Sequence, residues 1–231
     1  MHGTSLKLVI FDCDGTLVDS QQAIVSAMTA AWRAAGLADP DAQAVRRVVS
    51  LPLTEAIALL VPGEEEWFVK RLAGLYRDAY YRERHQAEIE PEPLVPGMRI
   101  MLAALHAHGI RLGIATGKSL RGLAAVLEAH GIRDWFVTLQ TADRAIGKPD
   151  PDMVFRAQQE CGIGAADTVV VGDSTYDMEM AKAAGVPSIG VAWGYHEPGE
   201  LEAAGARRIV HDCDELCAAL MDVLSIRGAW T

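Results

Sequence analysis

The sequence predicts an α/β fold, a doubly wound parallel sheet interrupted by an inserted helical bundle. Short, nearly continuous apolar runs recur at KLVIF (7–11), RLGIA (111–115), WFVTL (135–139), TVVVG (168–172) and SIGVA (188–192). Such runs suit strands covered on both faces, and the helical stretches between them suit right-handed crossovers. Between the first two runs the chain is far longer than one crossover needs, and its apolar spacing there is helical throughout.

Taken in order, the first run ends at Asp12-Cys13-Asp14-Gly15-Thr16, and Asp19 to about Gln22 leads out of the sheet. In the insertion, SAMTAAWRAAG and EEWFVKRLAGLYRDAYYRERHQ have helical periodicity, with Phe68, Leu72, Leu75 and Ala79 on one stripe. ADPD and VPGEEE have the composition of helix starts, the second with acids where the helix dipole favours them. EIEPEPLVPG (88–97), with Pro91, Pro93 and Pro96, is a stiff return linker. The expected division is residues 1–18 with 93–231 as the sheet domain and 19–92 as the helical one.

The 231 residues are half hydrophobic, enough for one core plus a small satellite. A formal charge of −10 opposes binding to nucleic acid, and no basic run with interleaved aromatics offsets it. Met1–Lys7 lacks the pattern of a secretory signal, and no apolar run approaches the ~20 residues of a membrane span. The expectation is a cytoplasmic protein with no membrane partner, monomeric or homodimeric. Four cysteines without C-x-x-C spacing read as reduced thiols. His211, Cys213 and Cys217 resemble a metal cluster, but the two cysteines are four apart in a helical pattern, and a packed helix face is the better reading.

Four places break the apolar pattern where strands end. Asp12 and Asp14 follow the first strand, in the position where open α/β sheets bind ligands. Asp173 ends the fourth, and Asp177, four residues on, shares its face at the start of the next helix, although Asp173 or Ser174 alone would read as a helix cap. If Asp12 and Asp173 converge, the shared space holds several carboxylates and needs a cation, and oxygen-only ligation favours Mg²⁺ with substrate phosphate oxygens in its shell. IATGKS (114–119) lacks the glycine spacing of a nucleotide-binding P-loop, yet Thr116 and the Gly117 amide suit a phosphate oxygen. In IGKPDPDMVF (146–155), Pro149 and Pro151 stiffen the turn that carries Lys148.

These four, in this order, resemble the haloacid dehalogenase superfamily: D-x-D-G-T-L at Asp12–Leu17, Thr116, Lys148, and G-D-x-x-x-D at Gly172–Asp177. The helical insertion resembles the small cap of the family's phosphoglycolate phosphatase-like branch, as do GVAWGYHEPGEL (190–201) and LPLTEA (51–56). The resemblance implies a phosphatase acting on a small phosphorylated metabolite. Asp12 would be the nucleophile that forms an aspartyl phosphate, and Asp14 the general acid and base, protonated in the first step. Mg²⁺ would be held by Asp12, the Asp14 carbonyl and Asp173, with Asp177 ordering its water or positioning Lys148. Thr116, Gly117 and Lys148 would hold the phosphoryl oxygens.

Asp14 argues against dehalogenation, whose enzymes lack that residue. Lys70, in the insertion, reads as a solvated helix residue and not as a phosphonatase Schiff-base lysine. A β-phosphoglucomutase-like mutase, another sugar-phosphate phosphotransferase, a pyrophosphatase and a non-catalytic phosphate-binding module remain as alternatives. Specificity is assigned to the cap loop RRVVSLPLT (46–54). There Arg46 and Arg47 are either readers of a substrate carboxylate or solvated residues, and Ser50, before Leu51, stands where the branch commonly has glycine.

Overall fold

The computed structural model describes residues 6–85 and 91–225. Its sheet is six-stranded and parallel: β1 (Leu8–Phe11), β2 (Arg111–Thr116), β3 (Phe136–Thr141), β4 (Thr168–Gly172), β5 (Ser188–Val191) and β6 (Arg208–Val210), in the spatial order β3-β2-β1-β4-β5-β6. The strand alternation sends successive side chains to opposite layers. Val9 and Phe11 pack with α5 (Met98–Ala107), α6 (Leu120–Ala129) and α10 (Cys213–Val223), whereas Leu8 and Ile10 meet α7 (Asp152–Cys161) and α8 (Thr175–Ala183). Both faces are covered, which explains the unbroken apolar runs. The short edge strand β6 escaped the sequence reading: three residues, only one of them buried, leave almost no apolar signal.

The order reverses at β1. The chain passes from β1 to β2 on one side, and β4 pairs with β1 on the other, so the crevice beyond their carboxyl ends lies at the switch point. Register sets the rest: Phe11 pairs with Val171, and the Asp12 amide donates to the Val171 carbonyl at 2.9 Å. Asp12 and Asp173 therefore leave adjacent strands at the same level.

Between β1 and β2 the chain builds α1 (Gln21–Ala34), α2 (Ala42–Arg47), α3 (Leu53–Leu60) and α4 (Glu66–His85) around a core of their own. Leu72 and Ala79 of the predicted stripe are buried, with Phe68 and Leu75 packed beside them. Asp41 of ADPD caps α2 by accepting the Ala44 amide at 2.7 Å. Lys70 pairs with Glu66 on an exposed face. The outgoing and returning segments lie side by side, the Asp19 amide donating to Pro93 O and the Val95 amide to Leu17 O. Residues 88–90 of the expected linker lie outside the described residues. Cys213 and Cys217 sit on α10, whose cap is Asp212, and pack with the core as free thiols.

Pro52, at the start of α3, seats the helical part on the sheet part. A Cβ at Gly147 would lie 2.2 Å from Pro52 Cγ, and one at Gly117 would lie 2.6 Å from Leu51 O. Both glycines are therefore required by close approach. Gly147→Ala should destabilise the protein by about 1–3 kcal/mol through overpacking, whereas Gly164→Ala, where a Cβ meets nothing within 4 Å, should change it by less than about 0.5 kcal/mol. Equal melting curves for the two variants would contradict this docking.

Candidate active site

At the crevice, Asp12, Asp173 and Asp177 each offer a carboxylate oxygen within 4.8 Å of the others, and their exposures are 1%, 0% and 0%. Lys148, equally buried, lies between two of them, its Nζ 2.9 Å from Asp12 Oδ1 and 2.6 Å from Asp177 Oδ1. One lysine faces three carboxyl groups, all of them buried. Burial, only partly opposed by Lys148, pushes the Asp12 carboxyl up to about 7, and burial with the charges of Asp12 and Asp177 raises Asp173 well above the ordinary range. Burial works against the Lys148 ammonium, but Asp12 and Asp177 outweigh it and hold its pKa above the usual lysine value.

Each carboxylate is aimed by its local chain. Ser174 caps α8 and forms a capping box with Asp177, whose Oδ2 accepts the Ser174 hydroxyl at 2.6 Å and its amide at 3.1 Å. The cap is Ser174 and not Asp173, which frees Asp173 for the crevice. Asp173 accepts the Thr16 hydroxyl at 2.8 Å on Oδ1 and the Tyr195 amide at 2.9 Å on Oδ2. Gly15 and Gly194 leave it room, since a Cβ at either would fall within 2.4 Å of Asp173 atoms. Thr116 is buried at the end of β2, next in the sheet to β1.

Asp14 stands apart from the other three. Cys13 packs into the core, and the Asp14 side chain pairs with Lys118 Nζ at 2.6 Å. Lys118 is largely shielded from solvent, which disfavours its charge, yet Asp14 and Tyr80 more than compensate and hold its pKa above the usual lysine value. The Tyr80 ring of α4 covers it at 5.4 Å, a cation–π contact from the helical part. The sequence reading credited Thr116 and Gly117 of IATGKS and passed over Lys118. Its signal was a lysine two residues beyond a strand-end threonine. Thr16 and Tyr195, which hold Asp173, were also missed as individual residues.

The 46–54 loop is divided by the structure. Ser50 is buried and its hydroxyl donates to Asp12 Oδ2 at 3.3 Å, reaching the candidate nucleophile from the helical side. Leu51 packs with Val48 and Ala56. Arg47 is bound to Glu200 of α9 (Pro198–Ala204) at 2.6 Å and 3.3 Å, and its carbonyl meets His196 Nε2 at 3.1 Å. It thus joins the two parts of the molecule. Arg46 Nε is buried with no hydrogen-bond partner among the described residues.

The donor set fits Mg²⁺. All the converging atoms are carboxylate oxygens, and Asp12 Oδ1 and Asp177 Oδ1 approach Lys148 without hydrogen-bond alignment. Buried carboxylates thus stand at the switch point of a parallel sheet, with a lysine and a strand-end threonine beside them. The haloacid dehalogenase-like hydrolase family model matches residues 9–191, and the chain belongs to that family.

A probable phosphatase, IndB, from Dickeya dadantii is 38% identical over 227 residues, covering 96% of both chains. A phosphoglycolate phosphatase from Rhodospirillum rubrum is 35% identical over 198 residues, 82% of this chain and 80% of its own. A predicted phosphatase from Clostridium acetobutylicum superposes with a TM-score of 0.84 at 26% identity, covering 95% of this chain and all of its own. No helix among the described residues is long and apolar enough to cross a membrane.

The raised pKa of Asp12 sets a sign for stability. In the metal-free protein the folded state binds its proton more tightly than the unfolded chain, so this group's contribution falls as pH rises from the ordinary carboxylate value of 3.8 to about 7. Added Mg²⁺ should raise the melting temperature, and by more at pH 8 than at pH 6. An Mg²⁺ response that is absent, or larger at the lower pH, would contradict the site.

Proposed function

We propose that the protein is a Mg²⁺-dependent phosphatase that hydrolyses a small phosphate monoester through an aspartyl phosphate on Asp12. The observation that carries this reading is the buried triad Asp12, Asp173 and Asp177 with a single lysine between them. Asp12 and Asp173, with the Asp14 carbonyl, would hold the metal, which supplies Lewis-acid neutralisation of nucleophile and phosphate.

In this reading the chain's own groups divide the work. An Asp12 oxygen attacks phosphorus and displaces the alkoxide, and a second step with water restores the carboxylate. Lys148 orients Asp12 and, with the Thr116 hydroxyl and Gly117 amide, stabilises charge on the phosphoryl oxygens. Lys118 holds Asp14 Oδ1 and so orients Oδ2 as the atom that gives the leaving group its proton and later takes one from water. Asp177, held by Ser174, positions Lys148. Residues 19–92 act as the cap, and Ser50 on Asp12 helps exclude water from the reacting centre. Two relatives are named phosphoglycolate phosphatase, which supports a small phosphate monoester as the substrate class.

A generic aryl phosphate assayed with Mg²⁺ and with a chelator tests this. Turnover should require Mg²⁺, fall at least ~10³-fold in Asp12→Asn and ~10²–10⁴-fold in Asp14→Asn. Turnover unaffected by Asp12→Asn would end the nucleophile assignment, and an isomerised sugar phosphate as product would replace hydrolysis with a mutase reaction.

A further inference from the structure

A chamber of about 230 Å³ lies between the cap and the sheet, walled by α1, α2, α3, α4 and the loop after β2. Asp14 and Gly117 line it, while among the described residues Asp12, Thr116, Lys148 and Asp173 do not. The phosphoryl site therefore sits beside the chamber, and the chamber, entered at the proton-exchanging Asp14, is where a leaving group would go. At ~30 Å³ per molecule it has the volume of about eight waters, more than the two-carbon acid glycolate would fill.

Its walls are apolar and aromatic. Met28, Val48 and Leu53 line it, together with Tyr76 and Tyr80, whose rings stack with centroids 5.8 Å apart and planes 25° apart. Its charged lining residues sum to zero, Asp14 and Asp143 against Lys118 and Arg77. The most shielded cation, Lys118, is already held by Asp14, and Asp143 Oδ1 accepts the Thr141 hydroxyl and the Leu120 amide. Arg77 is exposed. Of the two arginines the sequence offered as readers of a substrate carboxylate, Arg47 is engaged by Glu200, and neither Arg46 nor Arg47 is among the lining residues. The chamber is half open to solvent, so a carboxylate there would lose part of its hydration without gaining an unpaired, shielded cation of its own, which is unfavourable. An uncharged ring would gain apolar burial and a flat partner in the tyrosine wall.

We propose that the substrate is the monophosphate of an uncharged, ring-bearing alcohol, the ring occupying the chamber against Tyr76 and Tyr80. This rests on the phosphatase reading above and names its leaving group.

The test is a kcat/KM series on the full-length protein with Mg²⁺, using ethyl, n-butyl, cyclohexylmethyl and benzyl phosphates, whose alcohols have similar acidity, beside phosphoglycolate. Specificity should rise along the uncharged series, up to ~4-fold per methylene buried, with benzyl phosphate at least ~10-fold above ethyl phosphate and phosphoglycolate no better than ethyl phosphate. Val49→Trp, which fills the chamber from one wall, should lower the benzyl-to-ethyl ratio measured within that variant, a ratio independent of the fraction folded. Hydrolysis with phosphoglycolate preferred, or a flat series, would overturn the ring-bearing substrate and leave the phosphatase reading standing. No turnover of any ester would overturn both.

Discussion

Like-charge repulsion among Asp12, Asp173 and Asp177 is the constraint on which the rest of the molecule depends. Three carboxylates buried together with one lysine are an expensive arrangement, because each ion has lost its water and the charges do not balance. The fold sustains it with preset donors: the Ser174 capping box on Asp177, and Thr16 and the Tyr195 amide on Asp173. A divalent cation would offset the remaining charge, so the feature that costs stability in the metal-free protein would also be the one that creates affinity for a metal and a phosphate in the proposed reaction.

The cap is bound into the same arrangement by three contacts of different kinds. Ser50 bonds the candidate nucleophile, Tyr80 covers the lysine that holds Asp14, and Arg47 reaches Glu200. Gly117 admits the backbone of Ser50 and Leu51 to the sheet domain, and Gly147 admits the ring of Pro52. The cap thus reaches Asp12 directly and Asp14 through Lys118, and the chamber beside Asp14 is lined mostly by apolar and aromatic side chains. In the proposed reaction, one geometry would both exclude water and select the leaving group.

The sheet was legible because buried parallel strands are apolar without alternation, and the carboxylates were legible because they end two such runs, although either alone reads as a turn or helix cap. Asp12 and Asp173 could be paired from sequence only by assuming the strand order, which the β1–β4 pairing supplies. What could not be read was contact between distant segments. Lys118 looked like part of a failed P-loop until the fold turned it onto Asp14, and Arg47 carried no sign of Glu200, 153 residues away. Ser50 stood out as a departure from glycine, and its hydroxyl has a partner in Asp12 that only the docked cap provides.

Trapping the covalent species tests the nucleophile directly. The protein is mixed with a ³²P-labelled ester and Mg²⁺, quenched in acid within the first turnover, and digested. Label should appear on the peptide that contains Asp12 and be released by hydroxylamine, as an acyl phosphate is. Turnover with no labelled peptide, or with label on another segment, would contradict a chemistry built on Asp12.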